Sequence, residues 1–398
     1  MSRTVLIGAG QAAAACIAKL RSLGHDAPIT LIGAEPVPPY QRPPLSKAYL
    51  KGEMALERLF LKPEAWYGEN DVELCLGTRA TAIDLAAKDV MLDDGTRRTF
   101  SDLVLTTGSS PRRLRAAIGG NLGGVHVVRN LADVDAMAPA MQAGQRALII
   151  GGGYIGLEAA AVAASLGLEV TLIEMAERIL GRVAADETAR YIRDVHASHG
   201  VRIREGIGLE RLTGEETVSA AVLSDATEIP VDLVVVGIGI NPDTALAEAA
   251  GLAVENGIRV DARGQTSAPH VWAAGDCASL PYRGTRIRLE SVQNAIDQAE
   301  CVAANIAGAA KEYDPKPWFW SDQYDLKLQI AGLNTGYDHV VTRPGTSHWY
   351  YRGAELLAVD AMNDPRAYMV GKRLIEAGKS PDPALVADPE TELKMLLR

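Results

Sequence analysis

Short apolar runs, each closed by glycines and followed by an alanine-rich stretch, recur along this chain. Residues 5–7 form the first run and lead into Gly8-Ala9-Gly10-Gln11-Ala12-Ala13. The next dozen residues are rich in alanine and read as a helix that Gly24 closes, with another apolar run at 29–32. Strand, glycine turn, helix and strand make a βαβ unit. The pattern returns mid-chain. Residues 147–150 are the strand, Gly151-Gly152-Gly153-Tyr154-Ile155-Gly156 the turn, 157–166 the helix, Gly167 its stop and 170–173 the second strand. Further strands are expected at 103–105, 232–236 and 271–273, and a long helix at 291–306. After Tyr313 the pattern changes, with Pro315, Pro317 and then Trp318-Phe319-Trp320. Strands at 326–330, 348–351 and 356–359 and a helix at 367–376 predict a separate α+β domain from about residue 312. The expected class is α/β: two Rossmann-like dinucleotide-binding domains plus a C-terminal α+β domain.

Composition narrows the class of function. The 398 residues suggest two or three domains at roughly 150 residues each. They are 47% hydrophobic and 23% charged, which suits ordinary globular cores. A net charge of −10 argues against nucleic-acid binding, which wants a basic face. No signal peptide is read before the first strand, and apolar stretches fall short of the ~20 residues of a membrane span. A cytoplasmic location without membrane contact is the expectation. Cys16, Cys75, Cys277 and Cys301 are nowhere spaced as C-x-x-C. They read as four buried, inert thiols, not a disulfide framework, zinc site or redox dithiol, and no metal site is expected.

The two turns carry the chemistry. In the first, Gly8 permits a tight strand-to-helix turn, Gly10 lets the backbone approach a pyrophosphate, and Ala13 keeps the helix close to the strand. A diphosphate then rests on the helix N-terminus. Glu35, after the second strand, is the candidate for the ribose hydroxyls. The second turn is complete, with Gly151, Gly153 and Gly156 and with Ile155 between them. Glu174 ends the next strand. A carboxylate there accepts from both ribose hydroxyls and repels a 2′-phosphate, so NADH is favoured over NADPH. Two dinucleotides in one chain imply that one reduces the other, and FAD plus NADH is the economical pair.

Several stretches then carry a specific resemblance. They are Tyr40-Gln41-Arg42-Pro43-Pro44-Leu45-Ser46-Lys47, Thr106-Thr107-Gly108, residues 151–158, Gly275-Asp276-Cys277, Leu289-Glu290-Ser291-Val292-Gln293-Asn294-Ala295 and Pro317-Trp318-Phe319-Trp320-Ser321-Asp322-Gln323. In this order, over almost the whole chain, they resemble the FAD-dependent, NADH-linked ferredoxin reductases of bacterial cytochrome P450 and Rieske oxygenase systems. The resemblance implies a glutathione-reductase-like fold with a discontinuous FAD domain at 1–112 and 233–311, an NADH domain at 113–232 inserted within it, and a C-terminal domain at 312–398. It implies that Asp276, Arg42, Thr107, Gly108, Arg129, Ala12 and Ala80 contact FAD, held tightly and non-covalently. The helix beginning at Val292 would point its positive end at the flavin. Lys47 and Glu158 would lie beside the flavin and nicotinamide and place them for hydride transfer, which needs near-contact geometry. Trp320 would wall the flavin or line the electron exit.

The implied activity is NADH:ferredoxin oxidoreduction, with hydride passing to FAD and single electrons leaving to a [2Fe–2S] ferredoxin. Alternatives are a reductase of rubredoxin or a small quinone or radical acceptor, or a redox-sensing binding flavoprotein like apoptosis-inducing factor. A monomer or weak dimer is expected. Lys62, Arg286 and Arg288 are candidates for a basic docking patch toward an acidic ferredoxin.

Overall fold

A computed structural model describes residues 3–343, 345 and 347–397. The chain divides into two compact units. The first comprises 1–42, 55–110 and 240–315; the second comprises 43–54, 111–239 and 316–398.

The first unit is built on a parallel sheet of five strands. Their order is Val271–Ala273, Asp102–Leu105, Thr4–Ile7, Ile29–Gly33 and Val72–Leu76. Alternation along each strand feeds two cores. Val5, Ile7, Leu103 and Leu105 face one side, with Ile83, Val90, Leu92 and Phe100. Leu6, Leu31 and Val104 face the other, against the helices Gln11–Ser22 and Val292–Ile306. Burial on both faces explains why these strands read as unbroken apolar runs. The antiparallel strands Ala80–Asp84, Asp89–Leu92 and Arg97–Thr99 complete the first core.

The second unit repeats the order of four of these strands, but its fifth, edge strand precedes the others in the chain instead of following them. Its parallel sheet runs Arg202–Glu205, Glu169–Glu174, Arg146–Ile150, Leu233–Val236 and Val125–His126. The strand Leu233–Val236 pairs in register with residues 147–150. The boundary expected at 233 therefore falls inside this sheet, and the chain leaves the unit only after Gly239. Residues 43–54 also belong here, so the stretch 40–47 is split between the units.

The unit's C-terminal part is a five-stranded antiparallel sheet in the order Trp318–Gln323, Leu326–Gly332, Glu355–Met362, Ser347–Arg352 and His339–Arg343. The helix Pro365–Glu376 packs on it through Ala367, Val370 and Leu374. Trp318–Gln323 and His339–Arg343 are strands that periodicity did not single out. Among the described residues, no helix is long and apolar enough to cross a membrane.

Candidate functional site

The two glycine turns are built alike. Gly8 and Gly151 hold φ angles of 107° and 106°, a region L side chains rarely adopt. A Cβ on Gly8 would stand 2.2 Å from the Thr106 carbonyl oxygen, and one on Gly151 2.3 Å from that of Gly237. Each first glycine is thus forced by a neighbouring backbone. At the second glycines the reverse holds: a Cβ on Gly10 or Gly153 would meet no heavy atom within 4 Å. That face of each turn is open to an approaching ligand.

The helix starts complete the cradle. Gly10 caps Gln11–Ser22 and Gly153 caps Tyr154–Ser165; neither cap offers a side-chain acceptor, and neither first turn holds an acidic residue. The helix Leu131–Met137 is the contrast, since Asn130 and Asp133 cap it reciprocally. The glycine-turn helices therefore leave their first N–H groups and positive dipole ends to an external anion. A nucleotide diphosphate fits both. At the third position the turns differ. Ala13 is fully buried in the first, whereas a Cβ on Gly156 would lie 2.0 Å from the Gly151 carbonyl oxygen.

In the first unit, acidic and basic groups gather after the second strand. Glu35 Oε1 accepts from Arg42 Nη2 at 2.7 Å, and Glu35 Oε2 accepts from the Tyr40 hydroxyl at 2.5 Å. Burial works against the Arg42 charge, but Tyr40 and Glu35 outweigh it and raise the guanidinium's pKa. Asp276 Oδ2 accepts from the Ser109 hydroxyl at 2.9 Å. Thr107 donates to the Asp243 carbonyl at 2.6 Å, and the Gly108 carbonyl accepts from the Asp243 N–H at 3.0 Å. Val292 opens its helix behind Ser291, which accepts from the Asn294 N–H at 3.1 Å. Ala12 stands close to the Gly275 backbone, and Ala80 begins an antiparallel strand.

In the second unit, both Glu174 oxygens are engaged: Oε2 accepts from the Gly152 N–H at 2.7 Å and Oε1 from the Ala176 N–H at 2.8 Å. The carboxylate thus shapes the turn. Ile155 is exposed on the first helical turn. Arg129 precedes the capping box and donates its N–H to Asp133 Oδ2 at 3.1 Å. Trp320 packs its ring 5.5 Å from that of Trp318.

Lys47 and Glu158, 111 residues apart from a helical break and a glycine-turn helix, meet as an ion pair. Lys47 sits in the segment Leu45–Tyr49, where its own backbone departs from helix at φ −132°, ψ −110°. Its Nζ lies 2.9 Å from Glu158 Oε2, with side chains 21% and 6% exposed. Ser321 donates to Glu158 Oε1 at 2.8 Å, and Ser46 reaches Oε2 at 3.4 Å. Ser46 and Ser321 lie within the stretches that carry the resemblance, but nothing in their local sequence marks them out. Their part follows from contacts across the fold that no local pattern encodes.

Two expectations are corrected. Arg286 and Arg288 are not a solvated docking patch. Arg286 donates to the Val260 and Ser279 carbonyls, and Arg288 to the Asp276 carbonyl while pairing with Glu290. Both guanidinium groups satisfy backbone oxygens inside the first unit. Lys62 lies over the Trp66 ring at 5.3 Å. Of the cysteines, Cys16, Cys277 and Cys301 are buried, but Cys75 is half-buried and contacts Arg98. Burial pushes the Cys16 thiol up to about 12.

Comparison with known proteins places these features in a wider set. Residues 2–299 match the pyridine nucleotide-disulphide oxidoreductase family, and 318–397 match a reductase C-terminal domain. A ferredoxin–NAD(P)(+) reductase of Sphingomonas sp. is 44% identical over 98% of this chain and 96% of that protein. Putidaredoxin reductase of Pseudomonas putida is 38% identical over 99% and 96%. Among solved structures, the covalent putidaredoxin reductase–putidaredoxin complex matches with a TM-score of 0.96 at 37% identity, covering 100% of this chain and 98% of the other.

Proposed function

The chain belongs to the pyridine nucleotide-disulphide oxidoreductase family, and from that premise we propose that it is an NADH-dependent flavoprotein ferredoxin reductase. It would pass electrons to a [2Fe–2S] ferredoxin that feeds a cytochrome P450 or Rieske oxygenase. The observation that carries the reading is the pair of open, uncapped glycine turns, each on a five-stranded parallel sheet. No cysteine pair accompanies them among the described residues. The missing C-x-x-C supports this reading, because flavoproteins that reduce through a dithiol need one beside the flavin.

Each residue then takes a role. Gly8, Gly10 and the helix start at Gln11 hold the FAD diphosphate, with Glu35 and Arg42 at its ribose end and Asp276 and Val292 toward its flavin end. Thr107, Gly108, Ala12, Ala80 and Arg129 complete the FAD contacts. Bound FAD supplies acceptance of an electron pair and its release as single electrons. Gly151, Gly153, Ile155 and Gly156 seat the NADH diphosphate, and Glu174 its adenosine ribose. Lys47 and Glu158 seat the nicotinamide. They act by position: an ion pair this enclosed holds its geometry without the entropy cost of two free side chains. Trp320 would wall the flavin or line the electron exit.

Anaerobic titration tests the reading directly. NADH should bleach the flavin absorbance stoichiometrically, and added [2Fe–2S] ferredoxin should then support cytochrome c reduction. NADH bleaching without any ferredoxin-dependent turnover across a panel of such proteins would sink the ferredoxin assignment.

A further inference from the structure

A line of buried hydrogen bonds ends on Glu158. Tyr324 Oη lies 3.1 Å from His196 Nδ1, and His196 Nε2 lies 2.8 Å from Gln323 Oε1. Gln323 Nε2 is 3.1 Å from Ser321 Oγ, which is 2.8 Å from Glu158 Oε1. His196, Gln323, Ser321 and Glu158 are all buried. Ser321 and Gln323 stand two apart on the strand Trp318–Gln323 and so share a face; His196 comes from the helix Asp186–Ser198.

The direction of every bond follows from the ends. The Glu158 carboxylate only accepts, so the Ser321 hydroxyl donates its single proton there. Ser321 Oγ must then accept from Gln323, which turns the amide nitrogen toward Ser321 and the amide oxygen toward His196. That oxygen only accepts, so His196 carries its proton on Nε2 and accepts on Nδ1 from the Tyr324 hydroxyl. Burial pushes the His196 imidazole down to about 4 and the Tyr324 phenol up, so both stay in the neutral forms that this arrangement uses.

We propose that Ser321, Gln323 and His196 are positioning residues that hold Glu158 in one orientation toward Lys47 and thereby set the seat of the nicotinamide. The proposal rests on the reading of Lys47 and Glu158 given above. A carboxylate's terminal torsion is broad and two-fold. Here each oxygen has its own donor, Ser321 on Oε1 and Lys47 on Oε2, so rotation is pinned. Gln323 is the point of control. Its amide is nearly symmetric in shape, and the flipped form would present its oxygen to Ser321. Ser321 would then donate to Gln323 and abandon Glu158. The His196 Nε2–H opposes the flip, because it would meet the amide NH₂; the flipped form needs the other tautomer, with Nδ1–H toward the Tyr324 oxygen. The tautomer of a histidine that does not touch Glu158 and the direction of one serine proton are thus set together.

The test uses the flavin-loaded full chain in anaerobic stopped flow at saturating NADH. Ser321→Ala, which removes a hydrogen bond to the Glu158 carboxylate, should slow flavin reduction by about tenfold, and Gln323→Leu and His196→Leu, which only release the constraint on the Ser321 proton, by about fivefold. His196→Gln, whose amide can donate to Gln323 Oε1, should recover to within about twofold of the parent. Nitrogen-15 NMR of labelled histidines on the parent, assigned with His196→Gln, should show the neutral Nε2–H tautomer of His196 from about pH 5 to about pH 8. A parent reduced by NADH whose three apolar variants match its rate overturns the proposal. So does an Nδ1–H tautomer at His196, a measurement that needs no variant to fold. A parent that NADH does not reduce overturns the reading of Lys47 and Glu158 first, so the two failures are distinct.

Discussion

Glu174 carries two tasks at once. Its carboxylate holds the Gly152 and Ala176 N–H groups and would also take the ribose hydroxyls of the dinucleotide. Replacement by alanine would free the turn as well as the ribose, so glutamine is the cleaner probe. Glu174→Gln keeps an acceptor of the same reach but drops the charge. Hydrogen bonds to charged groups are worth about 1.5–3 kcal/mol, so the Michaelis constant for NADH should rise by about tenfold or more. The gap to NADPH should narrow, since a 2′-phosphate no longer meets a carboxylate. Steady-state kinetics with both nucleotides decide it; an unchanged ratio would remove Glu174 from the ribose. Lys47 is the companion case. Lys47→Met keeps its packing stem and removes the charge, and it should slow flavin reduction while leaving the flavin bound.

At the scale of elements, the glycine turn is the unit that function depends on, and the two copies differ in tolerance. A Cβ at Gly156 would sit 2.0 Å from the Gly151 carbonyl oxygen. Gly156→Ala must therefore push the helix Tyr154–Ser165 away from its strand and open the second cradle. The expected outcome is full flavin content, read from the visible spectrum, with a Michaelis constant for NADH raised by about tenfold or more, which is about 1.4 kcal/mol. Ala13 occupies the matching place in the first turn without conflict and is fully buried. Ala13→Gly should leave flavin reduction by NADH intact and lower stability by roughly 1 kcal/mol through helix propensity. Loss of flavin from Gly156→Ala would show that the second turn does not act alone on NADH. Both βαβ units were legible in the sequence because strand, turn and helix lie within a few tens of residues. The small antiparallel sheets and the strand His339–Arg343 were not, since their apolar alternation is short and their partners are set by pairing.

For the whole molecule, buried titratable groups in the second unit set opposing pH slopes. Burial raises the Asp360 carboxyl to about 6, although Tyr350 and Thr188 donate to it and pull the other way. The folded chain keeps this proton after the unfolded chain, at 3.8, has lost it. Stability from Asp360 is therefore full below about pH 4 and lost as pH rises through about 6. His196 has the opposite sign. Burial lowers it to about 4 from 6.5, so its contribution is lost as pH falls through that window, and His348, also lowered by burial, adds to it. Asp360 and His196 each carry on the order of 3 kcal/mol, and they offset one another. Thermal melts of the parent between about pH 4 and about pH 6.5 should be nearly flat. Asp360→Asn should melt higher as pH rises through the window, and His196→Gln lower. Parallel melting curves for both variants would show that neither group titrates there.

The sequence by itself determined the two glycine turns, the apolar strands that carry them, the change of character after Tyr313 and the place of Glu174 at the end of the strand after the second turn. These are short-range features: a glycine needed for a backbone turn and an alternation of period 2 or 3.6 are written in consecutive residues. The resemblance added Lys47 and Glu158 as a pair. Only the tertiary structure decided that Leu233–Val236 lies within the second sheet, between Arg146–Ile150 and Val125–His126, and that residues 43–54 belong to that unit. It also decided that Ser321, 163 residues from Glu158, donates to its carboxylate and that Gln323 and His196 stand behind that serine. Such partnerships depend on where separate segments meet, and a side chain's hydrogen-bond partner is fixed by proximity in the folded chain, which no local periodicity records.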